Sequence, residues 1–295
     1  MKKLIIVTCS IILASCAAVK QTSAPAGGNP SPVTTGRHQA QEPADNRPAP
    51  ADRKQSALPA EEDQDQLILA TLWYQKSAEM KALYYQCFRN AEIALSENLA
   101  WYDGTLPAAV VLDIDETVLD NSPFQGWQII EKRAFNNSDW KRWVDLACAA
   151  ALPGAVEFTR YADSLGVEVF YVSNRTVAET GPTIKNMAAL GFACADSAHM
   201  LLKDTTSSKV VRRERIERDY EILLLAGDNL ADFSGIYEDR GDDFGFSAVE
   251  AGRELFGTRY IILPNPMYGN WLNELMKRSG KGTTRDRLLR MLESF

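Results

Sequence analysis

The chain has 295 residues, 45% of them apolar, and a formal net charge of −7. That length suits one α/β domain with accessory elements, and the acidic balance excludes nucleic-acid binding as the main task. Five cysteines and two histidines without close spacing exclude a disulfide framework, a zinc site and a Ser-His-Asp hydrolase.

Leu4 to Ala14 is an apolar run behind Lys2 and Lys3. It has the charged start and short core of a secretion signal and is too short to span a membrane. It ends in Leu13-Ala14-Ser15-Cys16, which resembles the lipobox of bacterial lipoproteins. That resemblance implies a lipoprotein signal over 1–16, lipidation of Cys16 and a membrane anchor; an ordinary signal with a chance cysteine is the alternative. Ala17, in place of an aspartate, favours the outer membrane if the source is Gram-negative. Residues 17–60 are rich in Pro, Ala, Gly, Ser and Gln and contain no aromatic residue, so they read as a tether without a core of its own.

From Glu61 to Tyr102, Trp73, Met80, Leu83, Tyr84, Cys87 and Leu95 recur at helical spacing before Gly104, which predicts packing helices over 61–105 that serve as cap elements. Ala108 to Leu112 is then continuously apolar and stops at Asp113 and Asp115, the pattern of a strand buried on both faces. A second cap region is expected around 124–152, with Ser138 as N-cap of a helix carrying Trp140, Trp143 and Leu146. Phe124, Trp127, Trp143 and Trp271 read as packing residues.

Val167 to Val172 is a second apolar strand, ending in Ser173, Asn174 and Arg175. Tyr220 to Ala226 is a third, ending in Gly227, Asp228 and Asn229, with Asp232 one helical turn on. Arg259 to Leu263 is a fourth, ending near Asn265. Helices are expected over 176–191, 206–218 and 285–295. Strands that each end in polar groups and alternate with helices predict a Rossmann-like parallel α/β sheet over 106–295, with ligands at the carboxyl ends of the strands.

Two carboxylates one residue apart at such an edge need a cation, a shared proton or a catalytic task to explain them; an Asx turn is the plain alternative. Asp113 and Asp228, with the Asp115 carbonyl, make a hard oxygen site suited to Mg²⁺, and Asp232 would orient a metal-bound water. Asp113 could attack a phosphate ester if Lys209 offsets the repulsion between the anions, although Lys209 could equally be a solvated surface lysine. Asp115 would serve as general acid and then base, and Ser173 and Asn174 would donate to phosphate oxygens or simply form a turn. Crowding of Asp115 by Glu116, Asp120 and Asp113 leads to an expected acidic to mildly acidic optimum.

These residues resemble the haloacid dehalogenase superfamily and, within it, the class C bacterial acid phosphatases, the outer-membrane lipoprotein 5′-nucleotidases. DIDETVLDNSPF matches the first motif, VSNR the second, Lys209 the third and GDNLADF the fourth, with DWKRWVD, PGAVEF and PNPMYGNW as further family segments. Ala231 stands where the family often has a second acidic residue. The resemblance implies an Mg²⁺-dependent phosphomonoesterase acting on nucleoside 5′-monophosphates, including nicotinamide mononucleotide. Asp113 would be its nucleophile, Asp115 its acid/base, and Asp113, Asp115, Asp228 and Asp232 its metal residues. Trp140 and Tyr268 match family aromatics that sandwich the base, or alternatively pack the core, and a homodimer is a family expectation. The competing readings are a surface lipoprotein that captures haem or nucleotides, and phosphoryl transfer to an alcohol.

Overall fold

The centre of the sheet is Ala108–Leu112 (β1), every residue of which is buried. The structure, a computed structural model, describes residues 64–295; the expected signal, Cys16 and the tether lie outside the described residues. Among the described residues, two α-helices precede β1: Ile68–Lys76 (α1) and Ala78–Ala100 (α2). They separate at Ser77, which is extended and caps α2 by accepting the Met80 N–H at 3.0 Å. After β1 come Leu119–Asp120 (β2), Ser122–Ile130 (α3), Asn137–Asp145 (α4) and Ala150–Ala151 (β3), with β2 and β3 forming a small antiparallel pair. The main sheet continues through Ala155–Ser164 (α5), Glu168–Thr176 (β4), Thr180–Leu190 (α6), Met200–Lys203 (β5), Val210–Glu217 (α7) and Glu221–Gly227 (β6). Phe246–Ala251 (α8), Tyr260–Ile262 (β7), Asn270–Arg278 (α9) and Thr284–Leu289 (α10) complete the chain.

The five main strands run parallel in the order β5-β4-β1-β6-β7. Period-two alternation sends Val110, Leu112, Val169, Tyr171 and Leu224 to one face, where they meet Tyr84, Phe88 and Leu95 of α2 and Phe158 of α5. Ala109, Val111, Phe170 and Leu225 go to the other, against Ile216 of α7 with Phe233 and Tyr237. Both faces are covered, so β1 and the central stretches of β4 and β6 are apolar, as expected, with polar residues at both ends of β4 and at the start of β6.

Several expectations are corrected. The sheet has a fifth strand, β5, whose four residues alternate between buried and partly buried at the sheet edge. So short a run carries little periodicity. α2 is no cap element: it lies against β6, β7 and α5 and forms a layer of the main core. The N-cap of α4 is Asn136, which accepts the Asp139 N–H at 2.9 Å, and Ser138 instead donates to the Asn136 side chain. The C-terminal helix stops at Leu289, leaving Leu292 and Phe295 exposed, and α9 was not anticipated. Cys87, Cys148 and Cys194 are free thiols. No helix among the described residues is long and apolar enough to cross a membrane.

One contact ties α2 to the loop after β1. The Tyr84 hydroxyl donates to the Glu116 carbonyl and is also hydrogen-bonded to the Tyr74 hydroxyl, all within the core. Tyr84→Phe leaves that carbonyl and that hydroxyl short of a partner, and should lower unfolding free energy by about 1–3 kcal/mol, read as a lower urea midpoint at unchanged slope.

Candidate active site

The chain leaves β1 for β4 and β5 on one side, then returns to place β6 and β7 on the other. The crevice at the carboxyl ends of β1 and β6 is therefore the topological switch point, where open α/β sheets bind ligands. Asp113 is the first residue beyond β1, and its N–H continues the ladder to the Ala226 carbonyl at 2.9 Å. Asp228 follows β6 directly. Asp232 folds back so closely over Gly227 that a Cβ there would lie 2.5 Å from the Asp232 Cβ, which explains the glycine before Asp228. Ser173 and Arg175 come from the last residues of β4, and Lys209 is the N-cap residue of α7.

Lys209 is buried, which overturns the surface-lysine alternative. Its ammonium bonds Asp113 Oδ1 and, at 2.7 Å, Asp232 Oδ1. The other Asp232 oxygen accepts the Asn229 N–H at 2.9 Å. Asp228 Oδ2 accepts from Asn265 Nδ2 at 2.8 Å. Carboxylate oxygens of Asp113, Asp228 and Asp232 lie within 4.8 Å of one another, a spacing that could hold a metal ion. Burial pushes the Asp113 carboxyl up to about 7 against the pull of Lys209, with Asp232 and Asp115 adding to the rise. Desolvation and then the Asp232 and Asp113 charges hold Asp228 well above the usual carboxylate range. Burial opposes the charge of Lys209, yet Asp113 and Asp232 outweigh it and raise its pKa.

Asp115 is not left to the crowding expected of it. Arg175, itself buried, pairs with Asp115 Oδ1 at 2.8 Å, and Asn121 donates to the same oxygen at 2.9 Å. Glu116 takes the left-handed backbone conformation (φ 57°) and turns its side chain into the core, where Oε1 accepts the Asn121 N–H at 2.8 Å. Burial, then Asp115 and Asp228, raise its pKa well above the ordinary value.

Asp113, Asp115, Trp140, Ser173, Asn174, Lys209, Asp228, Asp232 and Tyr268 all line one cleft of about 920 Å³. Every expected site residue within the described range is thus in one place; Cys16 lies outside that range. Ser173 Oγ is 3.2 Å from Asp115 Oδ2, and Arg212 fixes the exposed Asn174 by donating to its Oδ1 at 2.7 Å. Arg175, Asn121 and Asn265 were missed as site residues. Each lies at or next to a strand or motif end, but its role depends on which neighbouring strand it meets. Trp143 is more than packing, since its indole donates to Asn121 Oδ1 at 2.8 Å, and Trp271 is 40% exposed. His199 sits outside the cleft, between Glu168 and Asp196, as a structural residue.

A family model described as HAD superfamily, subfamily IIIB (acid phosphatase) matches residues 49–271. The class C acid phosphatase from Bacillus anthracis is 39% identical, covering 79% of this chain and 98% of its own, with a TM-score of 0.73. The same enzyme with tungstate bound gives 38%, the same coverage and the same TM-score. Among curated relatives, stem 28 kDa glycoprotein of Glycine max is 28% identical over 54% of this chain and 58% of its own length. Acid phosphatase 1 of Solanum lycopersicum is 25% identical over 54% and 57%. The match thus spans less than two thirds of the curated relatives' length.

The Asp113 carboxyl binds its proton more tightly in the folded than in the unfolded chain. The stability this contributes is full below the ordinary value of 3.8 and is lost as pH rises through about 7. Without divalent cation, unfolding free energy by urea titration should fall across that window, and less steeply in Asp113→Asn. Magnesium chloride should restore more of it near pH 7 than near pH 4, where about the full complement of protons competes for the same oxygens. A wild-type slope no steeper than that of the variant would contradict the assignment.

Proposed function

This chain belongs to the HAD superfamily, subfamily IIIB (acid phosphatase), and from that premise we propose that it hydrolyses phosphomonoesters through an aspartyl-phosphate on Asp113, with nucleoside 5′-monophosphates, nicotinamide mononucleotide among them, as substrates. The observation that carries this reading is the meeting of Asp113, Asp228, Asp232 and Lys209 beneath the cleft that Trp140 and Tyr268 line. The neighbour solved with tungstate, a tetrahedral oxyanion like phosphate, supports it.

The all-oxygen donor set fits Mg²⁺, which Asp113, Asp228 and the Asp115 carbonyl would hold. Asp232, both of whose oxygens are engaged by Lys209 and Asn229, would support the site without ligating the ion directly. Bound there, the ion would neutralise part of the charge that opposes an anion attacking a phosphate ester. Lys209 does the same from the protein side and aims the Asp113 carboxylate. Asp115 supplies the leaving oxygen with a proton and later takes one from water. Ser173 and Asn174, which line the same cleft, would contact the phosphoryl oxygens.

Trp140 and Tyr268 would hold the base, each stacking contact contributing about 1–3 kcal/mol. Haem capture gains no support, because among the described residues no histidine lines the cleft. Anchoring to the outer membrane through Cys16 belongs to the same proposal and rests on residues 1–17 of the sequence.

The chain from residue 17 onward should hydrolyse adenosine 5′-monophosphate at acidic to mildly acidic pH, stop with chelator and restart with Mg²⁺. Asp113→Asn should lower kcat by about a thousandfold or more while leaving the fold intact; retained turnover would remove the nucleophile. Trp140→Ala and Tyr268→Ala should each raise KM for the nucleotide by about five- to a hundredfold relative to glycerol phosphate, which has no ring to stack.

A further inference from the structure

The two oxygens of Asp115 have unlike surroundings. Oδ1 accepts from Asn121 Nδ2 at 2.9 Å and from Arg175 Nε at 2.9 Å, and Arg175 Nη2 completes the ion pair with it at 2.8 Å. Oδ2 has the Ser173 hydroxyl at 3.2 Å as its hydrogen-bond partner among the described residues. Two N–H groups occupy the two lone pairs of Oδ1, beside a guanidinium, so a protonated Asp115 carries its proton on Oδ2.

The Asn121 donor is itself set from outside. An amide can face either way, and only its partners decide which end is NH₂. Asn121 Oδ1 accepts from the Trp143 indole at 2.8 Å and lies 3.4 Å from Arg175 Nη2. Indole and guanidinium can only donate. A reversed amide would set NH₂ against two donors and its oxygen against the Asp115 carboxylate. The backbone of Asn121 is held by Glu116 Oε1, and Arg175 is held by the Thr183 hydroxyl at 3.0 Å. The network therefore has one polarity.

The geometry points to Trp143 and Asn121 as positioning residues for Asp115: the indole N–H sets the direction of the Asn121 amide, and that amide with Arg175 confines the transferable proton to Oδ2. The inference rests on the phosphatase reading above. In that reaction the Asp113–phosphorus bond forms as the phosphorus–oxygen bond to the alcohol breaks. The electron pair leaves on the alcohol oxygen, which takes the proton from Asp115 Oδ2. Water then attacks phosphorus and returns a proton to Oδ2, and the Asp113–phosphorus bond breaks to release phosphate and the free carboxylate.

A misdirected proton matters only where the leaving group needs one. The ribose 5′-oxygen does, whereas nitrophenolate leaves without help. The test is kcat/KM for adenosine 5′-monophosphate divided by kcat/KM for p-nitrophenyl phosphate, a ratio from which the fraction of folded enzyme cancels. Trp143→Phe keeps a ring and loses the N–H; Asn121→Ala removes the amide and serves if the first variant is not recovered. The ratio should fall about tenfold or more in either variant. A ratio within about twofold of wild type would overturn the inference while the phosphatase reading stands. A wild-type chain that hydrolyses neither ester would overturn both.

Discussion

One ammonium serves three carboxylates at the carboxyl edge of the sheet, and the rest of the site follows from that shortage of positive charge. Lys209 satisfies Asp113 and Asp232 and leaves Asp228 with the Asn265 amide as its hydrogen-bond partner among the described residues. Removing an ion from water costs several kcal/mol unless its partners replace the lost hydration. One lysine cannot do so for three anions. Either protons or a cation must complete the set, and the upward shifts of Asp113 and Asp228 record that demand. The lysine itself is held in its charged form by the same neighbours.

The sheet makes the arrangement possible. β1 lies between β4 and β6, so three chain segments far apart in sequence end within one crevice. Two aspartates separated only by Ile114 nevertheless meet different environments, because consecutive turns after β1 face different strands. Asp113 faces the lysine at the start of α7, and Asp115 faces the arginine at the end of β4. Such unlike surroundings for two like groups are what would let one act as nucleophile and the other as acid/base in the proposed reaction.

Much of this was legible in the sequence because apolar runs that stop at polar residues report a buried strand and its functional end at once. The runs ending at Asp113, Ser173 and Asp228 are of that kind, and the residues beyond them reached the cleft. The omissions share another cause. Arg175 and Asn121 matter because they reach Asp115, and Asn265 because it reaches Asp228; periodicity describes an element's faces and not the partner across the sheet. The burial of Lys209 was ambiguous for the same reason, since a lysine is stable in the interior only beside anions that the linear pattern does not place there. Asn136 and Ser138 are both good N-cap residues, and sequence alone does not choose the register of a short helix between them. β5 is too brief to declare its period, and α2, read as a cap element, proved to belong to the core layer because helical spacing reports an apolar stripe without naming what covers it.

In the proposed function, the cap helix would join recognition to proton transfer. Trp140 and Trp143 are three residues apart on α4 and so share one face. Trp140 lines the cleft with the Arg175 guanidinium 5.6 Å over its ring, and Trp143 holds the Asn121 amide. Both tryptophans therefore reach the same carboxylate, one through the arginine and the other through the asparagine. α4 is fixed at its start by Asn136 and by Asp139, whose carboxylate pairs with Arg133 at 2.9 Å. Any tilt of the helix that moved the ring would also move the indole N–H, so, on the proposed reading, the element that would stack on a nucleotide base is mechanically linked to the oxygen that would carry the proton. A cap built from loops would leave those two tasks independent; a short, capped helix with both residues on one face does not.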